Sequence, residues 1–214
     1  MLLGCGATVR EKTPPVEPTP VSESDYAVYS DALPQLFPRD SAGAWPLVVS
    51  ELTAQRPQEP TRTIDPRTGN VELDRFCLPF CDIAVDVFVA SAGLTLDSSV
   101  TERLELLSDT VFSLEPLFAE SLAVTLVSEH EADRLIESKG GRESWDEHFA
   151  NPRPLRIRVG LITLSRVSFS RDSHRALMYY GYWCGLLCGW GNLVLLERQG
   201  DMWIVIAERG LWVS

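Results

Sequence analysis

The segment Ala176–Leu196 runs for 21 residues without a charged side chain, between Arg175 and Glu197. Its length would span a bilayer, and Gly181, Gly185 and Gly189 repeat the four-residue spacing of a glycine packing face in membrane helices. Two features oppose that reading. The stretch carries four glycines, Asn192, three tyrosines and two tryptophans, a low apolar density for a span. In addition, Gln199-Gly200-Asp201 is a turn signal that sets Leu193–Leu196 opposite Trp203–Ile206. A hairpin there excludes a membrane helix ending at Leu196. The expected arrangement is a strand at Tyr179–Trp183, a glycine-rich loop at Cys184–Gly191, a second strand after it, and no transmembrane helix.

The region before this stretch has a period of two. Leu155, Ile157, Val159, Leu161, Val167 and Phe169 share one parity, and Arg156, Arg158 and Arg166 share the other. Strands are therefore expected at about 155–169, 175–183, 192–199 and 202–208. Further upstream the period is helical. Tyr26, Tyr29, Leu33 and Leu36 fall on one face of a helix capped by Ser22 or Ser24, with Pro34 kinking or ending it. Asp74–Ala92, Ser98–Phe118 and Ala132–Glu137 also read as helices, while Trp45–Ser50 and Leu122–Val127 read as strands. Gln55–Asn70 is polar and proline-rich and reads as a loop. Helices followed by a run of strands predict an α+β fold, with N-terminal helices packed on a C-terminal antiparallel β-meander of about four strands. With 214 residues, 45% of them hydrophobic, the chain can bury one core.

The N-terminus reads differently. Leu2-Leu3-Gly4-Cys5 resembles the lipobox of bacterial lipoproteins, in which the cysteine is acylated. A basic and apolar leader does not precede it within the sequence, so two readings stand. Either the motif is a signal-peptide remnant, or it is accidental and the protein is cytoplasmic. Thr13-Pro14-Pro15-Val16-Glu17-Pro18-Thr19-Pro20 cannot form a helix or central strand and suits an extended tether. The expected organisation is a lipobox-like stub and proline-rich tether over 1–24, then a single α+β domain over 25–214. Lipidation at Cys5 would anchor the domain to the cell envelope, leaving it membrane-attached through lipid alone.

Four cysteines remain, in two Cys-x3-Cys pairs: Cys77 with Cys81, and Cys184 with Cys188. In an oxidising envelope, local pairing is the simplest disulfide arrangement, with Cys184 and Cys188 pinching the glycine-rich loop. Free buried thiols and a four-cysteine zinc site are the alternatives, the latter at uncharacteristic spacing. No metal site and no cofactor are expected.

Catalytic motifs for nucleotide binding, serine hydrolysis or zinc proteolysis are absent from the sequence. His130 lies between Glu129 and Glu131 on a solvated stretch, and Asp172-Ser173-His174 reads as a turn rather than a catalytic set. The net charge of −11 opposes nucleic-acid binding. Against that background, Arg153, Arg156, Arg158, Arg166, Arg171 and Arg175 face the single Asp172 within their own segment. Arginine takes carboxylate or phosphate partners, so the cluster either pairs with the protein's own acids, in particular those between Glu129 and Glu147, or forms an anion or lipid-headgroup patch. Arg156, Arg158 and Arg166 are the patch candidates. Trp190 beside Gly185, Gly189 and Gly191 is the candidate binding contact in the glycine-rich loop.

The C-terminal third resembles a family of uncharacterised bacterial proteins, many of which look exported. The shared pattern is Leu164-Ser165-Arg166-Val167-Ser168-Phe169, then Ala176-Leu177-x-Tyr179-x-Gly181. It continues with Cys184-Gly185-x-x-Cys188-Gly189-x-Gly191 and Leu195-Leu196-Glu197-x-x-Gly200-x-x-Trp203, and ends on Trp212-Val213-Ser214. Tyr26-Ala27-Val28-Tyr29-Ser30 and Trp145-x-x-x-Phe149 are weaker matches. Family members carry Gly-Phe-Asn where this chain has Ser168-Phe169-Ser170. The resemblance implies one domain with a shared hairpin and carries no activity.

The expected function is a non-catalytic, envelope-anchored domain binding a protein or small ligand near the hairpin loop. An enzyme with a polar site around Ser165 and Arg166, or a cytoplasmic regulatory module, are the alternatives.

Overall fold

The computed structural model describes residues 19–38, 47–54, 62–64, 71–73, 96–128, 130–132, 160–185 and 188–213. Cys5, Cys77, Cys81, Arg153, Arg156, Arg158, His148 and the expected helix 74–92 lie outside the described residues. The elements are β1 (Thr19–Pro20), α1 (Glu23–Leu36), β2 (Leu47–Ser50), β3 (Arg62–Ile64), β4 (Val71–Leu73) and α2 (Ser98–Ser108), followed by β5 (Phe112–Ser113), β6 (Val124–Val127) and β7 (Leu161–Leu164). The last four are β8 (Ser168–Phe169), β9 (Arg175–Gly185), β10 (Cys188–Gln199) and β11 (Met202–Val213).

The uncharged stretch is the centre of a seven-stranded sheet ordered β11-β10-β9-β7-β2-β6, with β8 also pairing β9. From Ala176 to Tyr182 every residue of β9 is buried, and so are Leu193–Leu196 of β10. A strand covered on both faces shows a continuous apolar run rather than alternation. That is why this segment carries no charge and no period of two. No helix among the described residues is long and apolar enough to cross a membrane.

The two covered faces sort by parity. Ala176, Met178, Tyr180 and Tyr182 of β9, with Val194 and Leu196 of β10, pack against Tyr26, Tyr29, Ala32 and Leu33 of α1. Leu177 and Tyr179, with Leu193 and Leu195, pack against Val100 and Leu104 of α2. The two helices thus occupy opposite faces of the sheet. The expected meander exists as β7-β9-β10-β11, antiparallel throughout. The strands expected at Trp45–Ser50 and Leu122–Val127 are β2 and β6, and they join this same sheet, β2 parallel to β7 and β6 parallel to β2; with β8 the sheet has seven strands, which corrects the expected count of about four. All four residues of β2 are buried, as a central parallel strand requires.

Several boundaries also move. The first expected strand, 155–169, is described only from Gly160; β7 spans Leu161–Leu164 and β8 is a separate two-residue strand. Thr19–Pro20, placed in the tether by composition, pair in parallel with Phe112–Ser113, and Val21 is buried in the core. The expected helix over Ser98–Phe118 stops at Ser108, whose hydroxyl donates to the Leu104 carbonyl at 2.8 Å. Beyond it the β-branched Thr110-Val111 lead into β5. Pro34 is accommodated inside α1, and Phe37 N still donates to the Leu33 carbonyl at 2.8 Å.

The far edge of the sheet has an unusual cover. Asp31 Oδ2 accepts from Trp203 N at 2.8 Å, Gln35 Oε1 accepts from Val205 N at 3.0 Å, and Gln35 Nε2 donates to the Trp203 carbonyl at 2.8 Å. Two side chains one turn apart on α1 thus take the hydrogen-bonding place of a neighbouring strand along the start of β11. Further along, β11 has register shifts opposite Leu195/Leu196 and Gly191/Asn192. Such bulges twist an edge away from unwanted pairing.

Candidate functional site

At one end of the sheet, β9 and β10 form a hairpin closed by a Cys184–Cys188 disulfide with a Cα–Cα distance of 5.1 Å. The expected loop at Cys184–Gly191 is corrected here. Gly185 pairs with Cys188, Gly189 with Trp183, Trp190 with Tyr182 and Gly191 with Gly181, so these residues are strand. Trp190 is half-buried and lies against Tyr182, with ring centroids 4.4 Å apart. Trp183 and Trp212 lie against each other on the other face, their rings tilted by 37° with centroids 4.7 Å apart.

The glycines have a packing reason. A Cβ on Gly191 would sit 2.6 Å from the Tyr179 hydroxyl and overlap the Trp212 indole. One on Gly181 would meet Thr163 Oγ1 at 2.6 Å. Trp212 Nε1 donates to Tyr179 Oη at 3.0 Å across the place the Gly191 side chain would fill. Burial pushes the Tyr179 phenol up to about 12. On the opposite face, Tyr180 Oη donates to Glu208 Oε1 at 2.6 Å, and Asn192 Nδ2 donates to both Tyr180 Oη and Glu208. Burial, then the bond to the Glu208 carboxylate, raises the Tyr180 phenol strongly.

Ser165 and Arg166 are committed to the fold. Ser165 is fully buried; its Oγ donates to the Arg166 carbonyl at 2.7 Å and accepts from Tyr179 N at 2.8 Å. Its carbonyl accepts from Tyr29 Oη at 2.7 Å. Arg166 Nε reaches Asp25 Oδ2 at 2.6 Å, and its guanidinium lies 4.3 Å from the centroid of the Phe112 ring. Asp25 is fully buried and also accepts from Val167 N at 3.2 Å and Ser22 Oγ at 3.1 Å. Arg166 is therefore corrected from an anion-patch residue to half of a buried ion pair. Its acid, Asp25, comes from α1.

The opposite end of the sheet holds a cleft of about 490 Å³, lined by Leu96, Asp97, Ser170–Asp172, His174–Arg175 and Glu197–Arg198. The turn between β8 and β9 builds one wall. Ser170 Oγ donates to Asp172 Oδ1 at 2.6 Å, and His174 N donates to the same oxygen at 3.1 Å. Ser173 takes a left-handed φ of 54°. Arg198 N donates to the His174 carbonyl at 2.8 Å, fastening the turn to β10. Arg171 Nε pairs with Asp97 at 3.3 Å, and Arg175 pairs with Glu197 at 3.4 Å. The Ser170 hydroxyl, followed by the His174 amide, holds the Asp172 carboxyl below its ordinary range. The Ser99 amide and hydroxyl do the same for Asp97. Arg171, Arg175 and the Asp172-Ser173-His174 turn are evident in the sequence, but nothing in it joins them to Asp97 and Arg198. His130 is exposed, as its acidic surroundings imply.

No known protein family, curated protein or solved structure matches the chain.

Proposed function

We propose that the protein is a non-catalytic binding domain of the bacterial cell envelope, anchored through a lipid on Cys5, with the disulfide-closed hairpin end as its recognition surface. The observation that carries this reading is the Cys184–Cys188 disulfide, because such bonds persist in oxidising compartments and are rare in the cytoplasm. The lipobox-like Leu2–Cys5 run and the proline-rich segment behind it supply the anchor and tether. Three half-buried tryptophans, Trp183, Trp190 and Trp212, gather near the hairpin, and indoles of this kind suit recognition surfaces. Against the enzyme reading, every polar atom of the Ser165 side chain is engaged within the fold, and Arg166 is held by Asp25.

The test is expression from the native gene in a bacterium, with alkylation of envelope fractions before and after reduction. The expected result is two thiols released only on reduction, mapped to Cys184 and Cys188, and incorporation of labelled palmitate that Cys5→Ser abolishes. Free thiols at both positions in a cytoplasmic fraction would instead establish a cytoplasmic regulatory module.

A further inference from the structure

We infer that the outer edge of β6 is the interface through which two copies of this chain pair, antiparallel and about a two-fold axis at Leu126, into one continuous sheet. The two edges of the sheet are built differently. β11 forms one edge, and its outer side is occupied by Asp31 and Gln35 and followed by register shifts. β6 forms the other; it pairs with β2 on its inner side without a register shift, and with no strand on its outer side among the described residues. The segment Ser121–Ser128 that contains it has no charged residue and no proline. Native sheets blunt an open edge with lysine, proline, a bulge or a cover, so an apolar edge without these is a template for pairing.

The backbone groups left over on this edge are self-complementary. Leu47 N donates to the Ala123 carbonyl and Glu51 N to the Val127 carbonyl, so Ala123, Thr125 and Val127 turn to β2 while Val124, Leu126 and Ser128 turn outward. The Val124 amide is spent on the Leu122 carbonyl at 2.9 Å, and the Ser128 carbonyl accepts from Ala132 N at 2.9 Å. Among the described residues, the Val124 carbonyl, the Leu126 amide and carbonyl, and the Ser128 amide stay unpaired. A second copy related by a two-fold axis at Leu126 supplies each missing partner. Leu126 N donates to the partner's Leu126 carbonyl, Ser128 N donates to the partner's Val124 carbonyl, and both bonds are reciprocated. Donors and acceptors balance about Leu126, which is what an isologous contact requires and a foreign strand does not.

The side chains fit the same axis. Val124 and Leu126 lie at the rim of the core on the α1 face, partly exposed, and the axis sets Leu126 against its own copy. Thr125 is exposed on the other face and lies diagonal to its own copy. The strand brings no like charges together, although each chain carries a net −11. Long-range repulsion between the copies is screened by salt, so pairing tightens as ionic strength rises. With four residues in β6 the contact is small, and the dissociation constant should be on the order of 10 μM. The pairing does not depend on the lipid anchor or on the hairpin end.

The test uses the full chain carrying Cys5→Ser, so that no attached lipid contributes. Sedimentation from about 1 μM to about 1 mM should show a monomer–dimer equilibrium that strengthens with salt. Amide hydrogen exchange over the same range should slow at Leu126 and Ser128 by about tenfold where dimer dominates, and stay unchanged along β11. Thr125→Lys places like charges diagonally across the axis from an exposed position; it should weaken the dimer by about tenfold or more, with circular dichroism and melting temperature unchanged. A chain still monomeric at about 1 mM overturns the inference. So does a dimer whose slowed amides lie on β11 rather than at Leu126 and Ser128, or a folded Thr125→Lys that dimerises as tightly as the parent.

Discussion

Asp25→Ala should destabilise the protein by about 3–5 kcal/mol, the characteristic cost of removing one partner from a buried ion pair. Asp25 is fully buried and the Arg166 side chain is 13% exposed, with Nε and Oδ2 2.6 Å apart. At that distance and an effective dielectric of about 20, the attraction is about 6 kcal/mol before desolvation is counted. Desolvation of both ions offsets much of it while the pair is intact. Once the carboxylate is removed, the guanidinium keeps its desolvation cost, and Val167 N loses its acceptor. Urea denaturation followed by tryptophan fluorescence reads the effect. With a denaturant slope of about 2 kcal/mol per molar, the midpoint should fall by about 2 M. Arg166→Met should cost a similar amount, and the double variant Asp25→Ala/Arg166→Met should be less destabilised than the sum, by about 2 kcal/mol or more. An Asp25→Ala loss below about 1 kcal/mol, with additive single effects, would refute the claim that this pair holds α1 to the β7–β8 connection. Arg171→Ala is the exposed control and should move stability by less than about 0.5 kcal/mol.

Three further outcomes follow from the geometry. Gly181→Ala and Gly191→Ala should each cost about 1–3 kcal/mol through overpacking, whereas Gly210→Ala, whose Cβ meets nothing closer than 3.6 Å, should have little effect on the melting temperature. Asp31→Ala/Gln35→Ala should expose the start of β11; light scattering should then show concentration-dependent association beyond that of the parent, and a variant no more associated than the parent would count against the edge-cover role. Tyr26, Tyr29, Tyr179 and Tyr180 all ionise above the ordinary phenol value in the fold, chiefly through burial. Because the unfolded chain releases these protons first, near pH 10, their contribution is complete below that pH and falls as pH rises. Tyr179 alone should lose stability on the order of 2–3 kcal/mol between about pH 10 and 12. Tyrosinate absorbance that rises with a midpoint near pH 10 for all five tyrosines while the fold persists would contradict this.

The parts of the fold legible in the sequence share a physical basis. Gly200, with φ of 64°, sits in the turn that its Gln199-Gly200-Asp201 context announced, and β10 and β11 pair from Gln199 and Met202 outward. Helix α1 followed from the spacing of Tyr26, Tyr29 and Leu33, all of which face the core. Legibility failed where one signal had two causes. Glycines concentrated at Cys184–Gly191 suggested a loop, yet Gly191 is small because Trp212 and Tyr179 cross above it. Arg166 looked like a solvent-facing charge because it alternates with apolar neighbours, yet its partner lies 141 residues earlier. The cleft was invisible because its walls come from three separate segments around residues 97, 172 and 198.

By itself, the sequence determined that the uncharged stretch is a hairpin rather than a membrane helix, that Cys184 and Cys188 are spaced for local pairing, and that helices precede a C-terminal run of strands. Those properties depend on residues a few positions apart, where backbone geometry limits the choices. Only the tertiary structure decided that α1 and α2 cover opposite faces, that β2 and β6 extend the sheet in parallel, and that Asp25 neutralises Arg166. These depend on which distant side chains meet, and that is set by the joint packing of both sheet faces rather than by any local pattern.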